Sequence, residues 1–536
     1  MSARIEFYWP EYRLFPYERR LAKREIRELL GKKPLPASCG FRVATQRVPN
    51  GTLERFTYFG RVLVTGRTLA PLQARLEATA VANGNGSKAR PTGGTPRSKR
   101  QSTRYSAHGI HEYRGKFNPQ IVRAIGNILP LPRKAWVLDP FCGSGTTLLE
   151  CAHIGWNAIG LDMNPLAVFI ARTKVEALKL DSIVLQQEAA GLCRRLRVLS
   201  EGLDFGSAFE RRHRLRLETG CELPNRPYLE RWFAPSVLVQ LERLELEARR
   251  LTHATVADLA RLVLSDLLRS VSLQDPGDLR IRRRKDAKPN YSVIPMFVGT
   301  FERRVRAIVS ARAVLGEVRG FQVAAHADAR LPLREQLHDA ATPRAFDGVI
   351  TSPPYATALP YIDTQRLSLA FLGLATEAEL GGLERALVGS REIGKRERGE
   401  DEAQIQAGSD ALPTSVVQFC RTALSLVRKG RDGFRRQNMP ALLFRYFHDM
   451  AQVFANVRHL MRPGAGFALV VGPNRTTLGG RCLTINTPRL LQAVAEHGGW
   501  QCVDLVALDA YPRYDVHQRN SIRTETLVIL RRPPGW

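Results

Sequence analysis

Residues 135 to 162, AWVLDPFCGSGTTLLECAHIGWNAIGLD, constrain the fold more than any other part of the chain. A short apolar run (Ala135 to Pro140) leads into a glycine loop, a helical stretch follows, and a second apolar run ends in an acid, Asp162. Strand, tight turn, helix and strand in that order make a βαβ unit, with its two strands parallel in one sheet. Gly143 and Gly145 let the backbone turn sharply and let a ligand approach where a Cβ would stand. A carboxylate at Asp162 can accept hydrogen bonds from both hydroxyls of a ribose. Leu148 replaces the third glycine of a pyrophosphate-binding loop, and the lysine of a phosphate-binding P-loop is missing. The pattern therefore points to an adenosine-type cofactor without a pyrophosphate.

A second constraint is the corner Ser352-Pro353-Pro354-Tyr355, which follows the strand-like run FDGVI (Phe346 to Ile350). Prolines donate no backbone hydrogen bond, so they end a strand rather than extend it. The simplest reading of such a corner is an ordinary turn; downstream of a glycine loop and a ribose acid, a site becomes the better one.

Around these motifs the strand pattern starts at about Tyr105, stops near Lys174 and resumes at GFQVAAHAD (Gly320 to Asp328). It breaks again over about 364–436, then returns with a helix, a turn (RPGAG), a strand (FALVVG) and a closing strand pair. This predicts a doubly wound sheet carrying insertions, with its sheet residues in 105–174 and 320–536. Residues 175–319 read as a mainly helical insertion, residues 1–78 as a small α+β domain, and residues 79–104 as a flexible basic linker.

The formal charge is +29, from 80 Lys and Arg against 51 Asp and Glu, which favours a polyanionic partner. Eight cysteines lie far apart with no CxxC pair, so neither a zinc site nor a disulfide framework is expected. No signal-peptide pattern and no bilayer-length apolar run is present, so the expectation is a cytoplasmic protein without membrane contact. His108 and His111 have metal-like spacing but no Cys or carboxylate neighbours in sequence, and they read as structural contacts rather than ligands.

DPFCGSGTT (Asp139 to Thr147), GLDMNPLA (Gly160 to Ala167), TSPPY (Thr351 to Tyr355) and HGIHEYRGKFNPQIV (His108 to Val122) resemble the motifs of the S-adenosylmethionine-dependent amino-methyltransferases of DNA, which act on cytosine N4 or adenine N6. The resemblance covers roughly residues 105–174 and 320–536 and implies an α/β, Rossmann-like doubly wound methyltransferase sheet. It implies S-adenosyl-L-methionine as cofactor, held by Asp139, Phe141, Gly143, Gly145, Thr146, Thr147, Asp162, Asp328 and Phe117. Asp328 is assigned to the adenine amine, Asp139 to the methionine ammonium through water, and Thr146 and Thr147 to the methionine carboxylate. Ser352, Pro353, Pro354 and Tyr355 become the catalytic corner: rigid acceptors polarise an exocyclic amine while the ring stacks on a base flipped out of double-stranded DNA.

Serine ahead of the prolines favours cytosine N4 over adenine N6, because the adenine enzymes of the family more often carry Asp or Asn there. Three basic clusters, RRHRLR (Arg211 to Arg216), RIRRRKDAK (Arg280 to Lys288) and RKGRDGFRRQ (Arg428 to Gln437), fit phosphate contacts. Target recognition is placed in the helical insertion, with Arg280, Arg282, Arg283 and Arg284 on the DNA backbone. Restriction or defence-system proteins are the expected protein partners. The alternatives are an RNA amino-methyltransferase of the tRNA guanine-N2 type and a non-catalytic nucleic-acid-binding subunit.

Overall fold

The computed structural model describes residues 3–46, 48–82, 101–201, 222–275, 282–284, 291–337, 342–356, 362–428, 430–509 and 524–534. Its first unit is an antiparallel sheet of β1 (Ala3–Tyr8), β2 (Leu35–Ala37), β3 (Gly40–Thr45), β4 (Arg61–Val64) and β5 (Arg67–Leu69), in the order β2-β3-β1-β4-β5. The central strand β1 turns Ile5 and Phe7 into the core. Phe7 meets Phe56 and Phe59 with ring centroids 4.8 Å apart in each case. Of the apolar run that begins at Arg55 only Arg61–Val64 pairs as a strand, because Phe56, Tyr58 and Phe59 fill this core.

The helix Pro16–Leu30 starts at a proline in its first turn, with the Glu18 carboxylate accepting the Phe15 N–H at 2.7 Å, and it ends at left-handed Gly31. It packs along the helix Pro119–Ile128. The contact is polar and buried: Glu25 accepts from Thr57 Oγ1 at 2.5 Å and from Asn127 Nδ2 at 2.7 Å. Gln120 Nε2 donates to Glu77 Oε1 at 3.0 Å and to the Ser102 carbonyl at 2.6 Å. The N-terminal unit is therefore joined to the rest by groups that need each other. Residues 101–104, read from sequence as linker, are part of this junction; residues 83–100 lie outside the described residues.

A chain starting at residue 101 would leave the buried Asn127 amide without Glu25, at about 1–3 kcal/mol for an unsatisfied group, and Gln120 without Glu77. It is expected to be aggregated or to melt well below the full chain in thermal unfolding. A truncated chain as stable as the whole would contradict the joint core.

The main sheet contains β6 (Trp136–Asp139), β7 (Asn157–Asp162), β8 (Gln322–His326), β9 (Phe346–Thr351), β10 (Met461–Val471), β13 (Gln501–Asp509) and β14 (Thr524–Arg531). Between β10 and β13 the chain forms a separate hairpin, β11 (Asn474–Leu478) and β12 (Arg481–Ile485). The main sheet runs β13-β14-β10-β9-β6-β7-β8. Strands β6 to β10 pair in parallel, and β14 lies antiparallel between β10 and β13. The RPGAG expected as a turn lies within β10, where the register against β9 slips between Met461 and Gly466.

Chain order reverses between β6 and β9, and a crevice opens at the carboxyl ends of such neighbouring strands. On one side the helix Pro165–Lys179 carries the insertion helices Ser182–Glu201, Pro235–Arg249, Ala254–Val271 and Val293–Leu315. Their leucine- and valine-rich faces extend the main core rather than standing apart from it.

Candidate active site

At the carboxyl end of β6 the chain turns through Pro140 to Gly145 before the helix Thr146–Ile154. Gly143 and Gly145 both have positive φ, 49° and 78°. A Cβ on Gly145 would stand 2.7 Å from that of Ala171, so this glycine seats the loop on the helix Pro165–Lys179. Gly143 instead faces Tyr113, whose ring carbon would lie 3.2 Å from an added Cβ. The buried Lys174 ammonium donates to the Ser144 carbonyl at 3.3 Å, and burial pulls its pKa down to about 7.

Two carboxyls flank this loop. Asp139 is buried and accepts from Thr351 Oγ1 at 2.6 Å and from the Phe141 N–H at 3.1 Å, tying β6 to β9. Asp162, at the end of β7, accepts the N–H of Gly143 at 3.0 Å and of Asn164 at 2.8 Å. Burial raises both carboxyls to about 6. A ribose hydroxyl donating to Asp162 favours its ionised carboxylate, so cofactor affinity should fall as pH drops through 6. Calorimetric titration at pH 5 and pH 7.5 is expected to show about tenfold weaker binding at the lower pH, and Asp162→Ala to weaken it at both. Equal affinity at the two pH values would remove this role for Asp162.

The crevice is a cavity of about 480 Å³. Its walls include Phe117, Asp139, Phe141, Gly143, Thr146, Asp162, Asp328, Ser352, Pro353, Pro354 and Tyr355. Residues some 235 positions apart in sequence thus face one space, because β6 and β9 are neighbours in the sheet. Gly145 and Thr147 lie behind the wall: Thr147 is fully buried and donates to the Ile350 carbonyl at 3.3 Å, which makes it a brace for the loop. Asp328, just beyond β8, lines the cavity, and both its oxygens accept from Arg330 at 2.7–3.1 Å. Arg330 also bridges to Asp449 at 3.2 Å.

The proline corner is held from three sides. Ser352 Oγ donates to the Val470 carbonyl at 3.0 Å on β10, the next strand. The Tyr355 hydroxyl donates to the Glu525 carboxylate on β14. Behind the corner, Gly389 has φ 75°, and a Cβ there would lie 3.2 Å from the Tyr355 carbonyl oxygen and 3.3 Å from Pro354 Cβ.

Sequence reading missed Glu525 and Gly389, which carry no local motif. It also missed a whole wall: Arg13, Phe15, Tyr17 and Glu18 of the N-terminal unit line the same cavity. Burial raises the Glu18 carboxyl to about 7.

His108 belongs to a buried cluster below the loop. Its Nε2 lies 2.7 Å from Glu150 Oε1, Arg123 Nε donates to Glu150 Oε2 at 2.7 Å, and His153 Nδ1 is 3.1 Å from the same carboxylate. Three of these side chains have the proximity of metal ligands, but the guanidinium of Arg123 already neutralises the carboxylate. His111 lies against the insertion, its Nε2 3.2 Å from Ser265 Oγ. Of the arginines assigned to the DNA backbone, Arg280 lies outside the described residues. Arg282 and Arg283 are exposed, and Arg284 is half-buried, donating to the Gln274 carbonyl at 2.9 Å and to the Tyr291 hydroxyl at 3.2 Å.

The strand order, the glycine loop after β6 and the acid ending β7 define the fold of S-adenosylmethionine-dependent methyltransferases. S-adenosylmethionine is the cofactor this cradle fits: a glycine turn at Gly143, the Asp162 carboxylate in the cavity wall, and no lysine or third glycine for a pyrophosphate. Residues 97–172 match the DNA methylase family model.

It is 22% identical over 337 residues to the type II methyltransferase M.MjaII of Methanocaldococcus jannaschii, covering 49% of this chain and 62% of that protein. It is 23% identical over 305 residues to M.MvaI of Kocuria varians, covering 54% and 63%. With M.AvaI of Nostoc sp. it shares 21% over 461 residues, covering 79% and 86%. The chain thus spans a little over three-fifths of the length of the first two relatives.

Proposed function

We propose that the protein transfers the methyl group of S-adenosylmethionine to an exocyclic amine of a base in DNA, cytosine N4 ahead of adenine N6, with the base turned out of the duplex. The observation that carries this reading is the common cavity of the glycine loop and the Ser352–Tyr355 corner at adjacent strand ends. Similarity to type II DNA methyltransferases and the net charge of +29 support DNA as substrate.

The cofactor supplies an already activated methyl group on a sulfonium, so the protein's part is alignment and electrostatics. An exocyclic amine is a weak nucleophile because its lone pair is delocalised into the ring. Ser352 gives its hydroxyl proton to the Val470 carbonyl, which leaves Oγ facing the amine as an acceptor only. The Pro353 carbonyl is a second acceptor on a backbone that prolines hold rigid. Together they draw on the two N–H bonds and stabilise the positive charge that develops on nitrogen. Glu525 fixes the Tyr355 ring, which stacks on the base. A base inside a duplex cannot reach this position, hence the eversion.

Serine at the first position supports cytosine N4. Residues Asp139, Phe141, Thr146, Asp328 and Phe117 belong to the cofactor half of the cavity in this reading, with Gly145 and Thr147 bracing it. No helix among the described residues is long and apolar enough to cross a membrane. A cytoplasmic location and restriction or defence-system partners follow from this proposal.

Labelled-methyl transfer to DNA and to tRNA, followed by nucleoside analysis, tests it. N4-methylcytosine in DNA is the expected product. N6-methyladenine would move the target, N2-methylguanine in tRNA would establish the RNA alternative, and cofactor binding without transfer would leave a binding subunit.

A further inference from the structure

Strand β10, which brings the Val470 carbonyl to Ser352, continues through Gly472 and Pro473 into the β11–β12 hairpin. The hairpin therefore rises from the edge of the sheet where the cavity opens. Its root is tied to the catalytic corner, since Asn474 Nδ2 donates to the Ala356 carbonyl at 3.0 Å. Its tip is locked to Arg428 and the segment 430–437. Asp432, 3% exposed, accepts the Arg428 N–H at 2.9 Å and the Gly479 N–H at 2.8 Å on one carboxylate oxygen. A Cβ on Gly479 would stand 2.2 Å from the Leu426 carbonyl oxygen, and one on Gly480 2.7 Å from the Arg431 guanidinium carbon. Hairpin and segment are built as one piece.

The outer surface of this piece carries Phe434, 69% exposed, the most exposed large apolar side chain among the described residues. Exposed Arg431, Arg435 and Arg436 surround it in sequence, and exposed Arg475 and Arg481 stand on the hairpin. Arg435, Arg475 and Arg481 form no ion pair with any described carboxylate. A ring kept in water among arginines matches a partner with both anionic groups and π faces: phosphates bind the guanidiniums and a base stacks on the ring. Five residues at ~3.4 Å each put root and tip roughly 14–17 Å apart. That is comparable with the ~12 Å width of a major groove. A duplex whose target nucleotide enters at Tyr355 then lies within reach of Phe434.

We propose that residues 430–437, mounted on the β11–β12 hairpin, form a duplex-gripping arm. Its arginines bind phosphates beside the target nucleotide, and Phe434 stacks on the neighbouring base step, holding the duplex open while the target base is out. The inference rests on the proposed DNA substrate and adds the surface that grips it.

The test uses the full chain, Phe434→Ala, the double variant Arg435→Gln with Arg436→Gln, and Arg319→Gln. Arg319 serves as a control because it precedes β8, at the opposite edge of the sheet. Anisotropy with a mixed-sequence duplex at several salt concentrations reads binding; transfer to unmethylated genomic DNA reads turnover. The double variant is expected to reduce the log–log salt slope by about 2, one for each phosphate no longer paired with a guanidinium. Phe434→Ala is expected to lower kcat/KM by about tenfold or more with cofactor affinity and melting temperature unchanged.

Wild-type slope and turnover in both variants would overturn the arm while leaving DNA methylation standing. A loss of turnover matched by an equal loss of stability or cofactor affinity would assign these residues to packing and also overturn it. A wild-type chain that neither binds nor methylates DNA removes the substrate reading and the arm together.

Discussion

Replacing Ser352 and Tyr355 together by alanine is expected to slow methyl transfer about 100- to 1,000-fold at saturating cofactor, with cofactor affinity unchanged. Removing preorganised polar groups from a developing charge costs about 2.7–4 kcal/mol, which sets that range. The single variants separate the parts. Ser352→Ala removes an acceptor whose proton is committed to Val470 and should carry most of the loss in kcat. Tyr355→Phe keeps the ring but frees Glu525, so it should cost much less than Tyr355→Ala. Methyl transfer at full speed in the double variant would mean that the corner is an ordinary turn and that the amine is polarised elsewhere.

The largest stability effect is expected at Glu150. Burial opposes its ionisation, yet Arg123, His153 and His108 together hold its carboxyl well below the usual range. Glu150→Ala leaves the fully buried Arg123 guanidinium without its carboxylate, and breaking a buried pair from one side costs about 3–5 kcal/mol. Thermal and denaturant unfolding should both show it. The sign with pH follows from the depressed value: the contribution is complete above the ordinary carboxylate range and is lost only as pH falls toward the folded-state pKa. Wild type and Glu150→Ala should therefore converge in stability under strongly acidic conditions. A variant as stable as wild type at neutral pH would show that the cluster relaxes or admits water.

Much of the parallel sheet and of the loop and corner that line the cavity was legible in residue order. Gly143 and Gly145 sit in the turn expected of them, and Asp162 ends the strand that the apolar run predicted. The Pro-Pro corner terminates β9 as donor-free residues must. Each of these features is local: a few neighbouring residues and a period of 2 or 3.6 are enough to specify it. The site details that were missed are long-range. Thr147 carries the right hydroxyl beside the right loop, but the packing of its helix against β9 turns that hydroxyl to Ile350 instead of the cavity. Arg284 belongs to a basic run, but a half-buried position and two hydrogen-bond acceptors give it a structural task.

By itself, then, the amino-acid order determined the parallel sheet, the adenosine-type cradle and the rigid corner, because backbone freedom at glycine and its absence at proline act within a few residues. Tertiary structure alone decided which distant groups share the cavity. Glu525 reaches Tyr355 across 170 positions, and Arg13 to Glu18 wall a pocket whose loop begins more than a hundred residues later. The same holds for the hairpin that carries Phe434, whose attachment depends on one buried carboxylate, Asp432, binding the backbone of two separate segments. The physical reason is that such pairings are selected by burial and hydrogen-bond satisfaction in the closed core, and neither leaves a periodic mark on the chain.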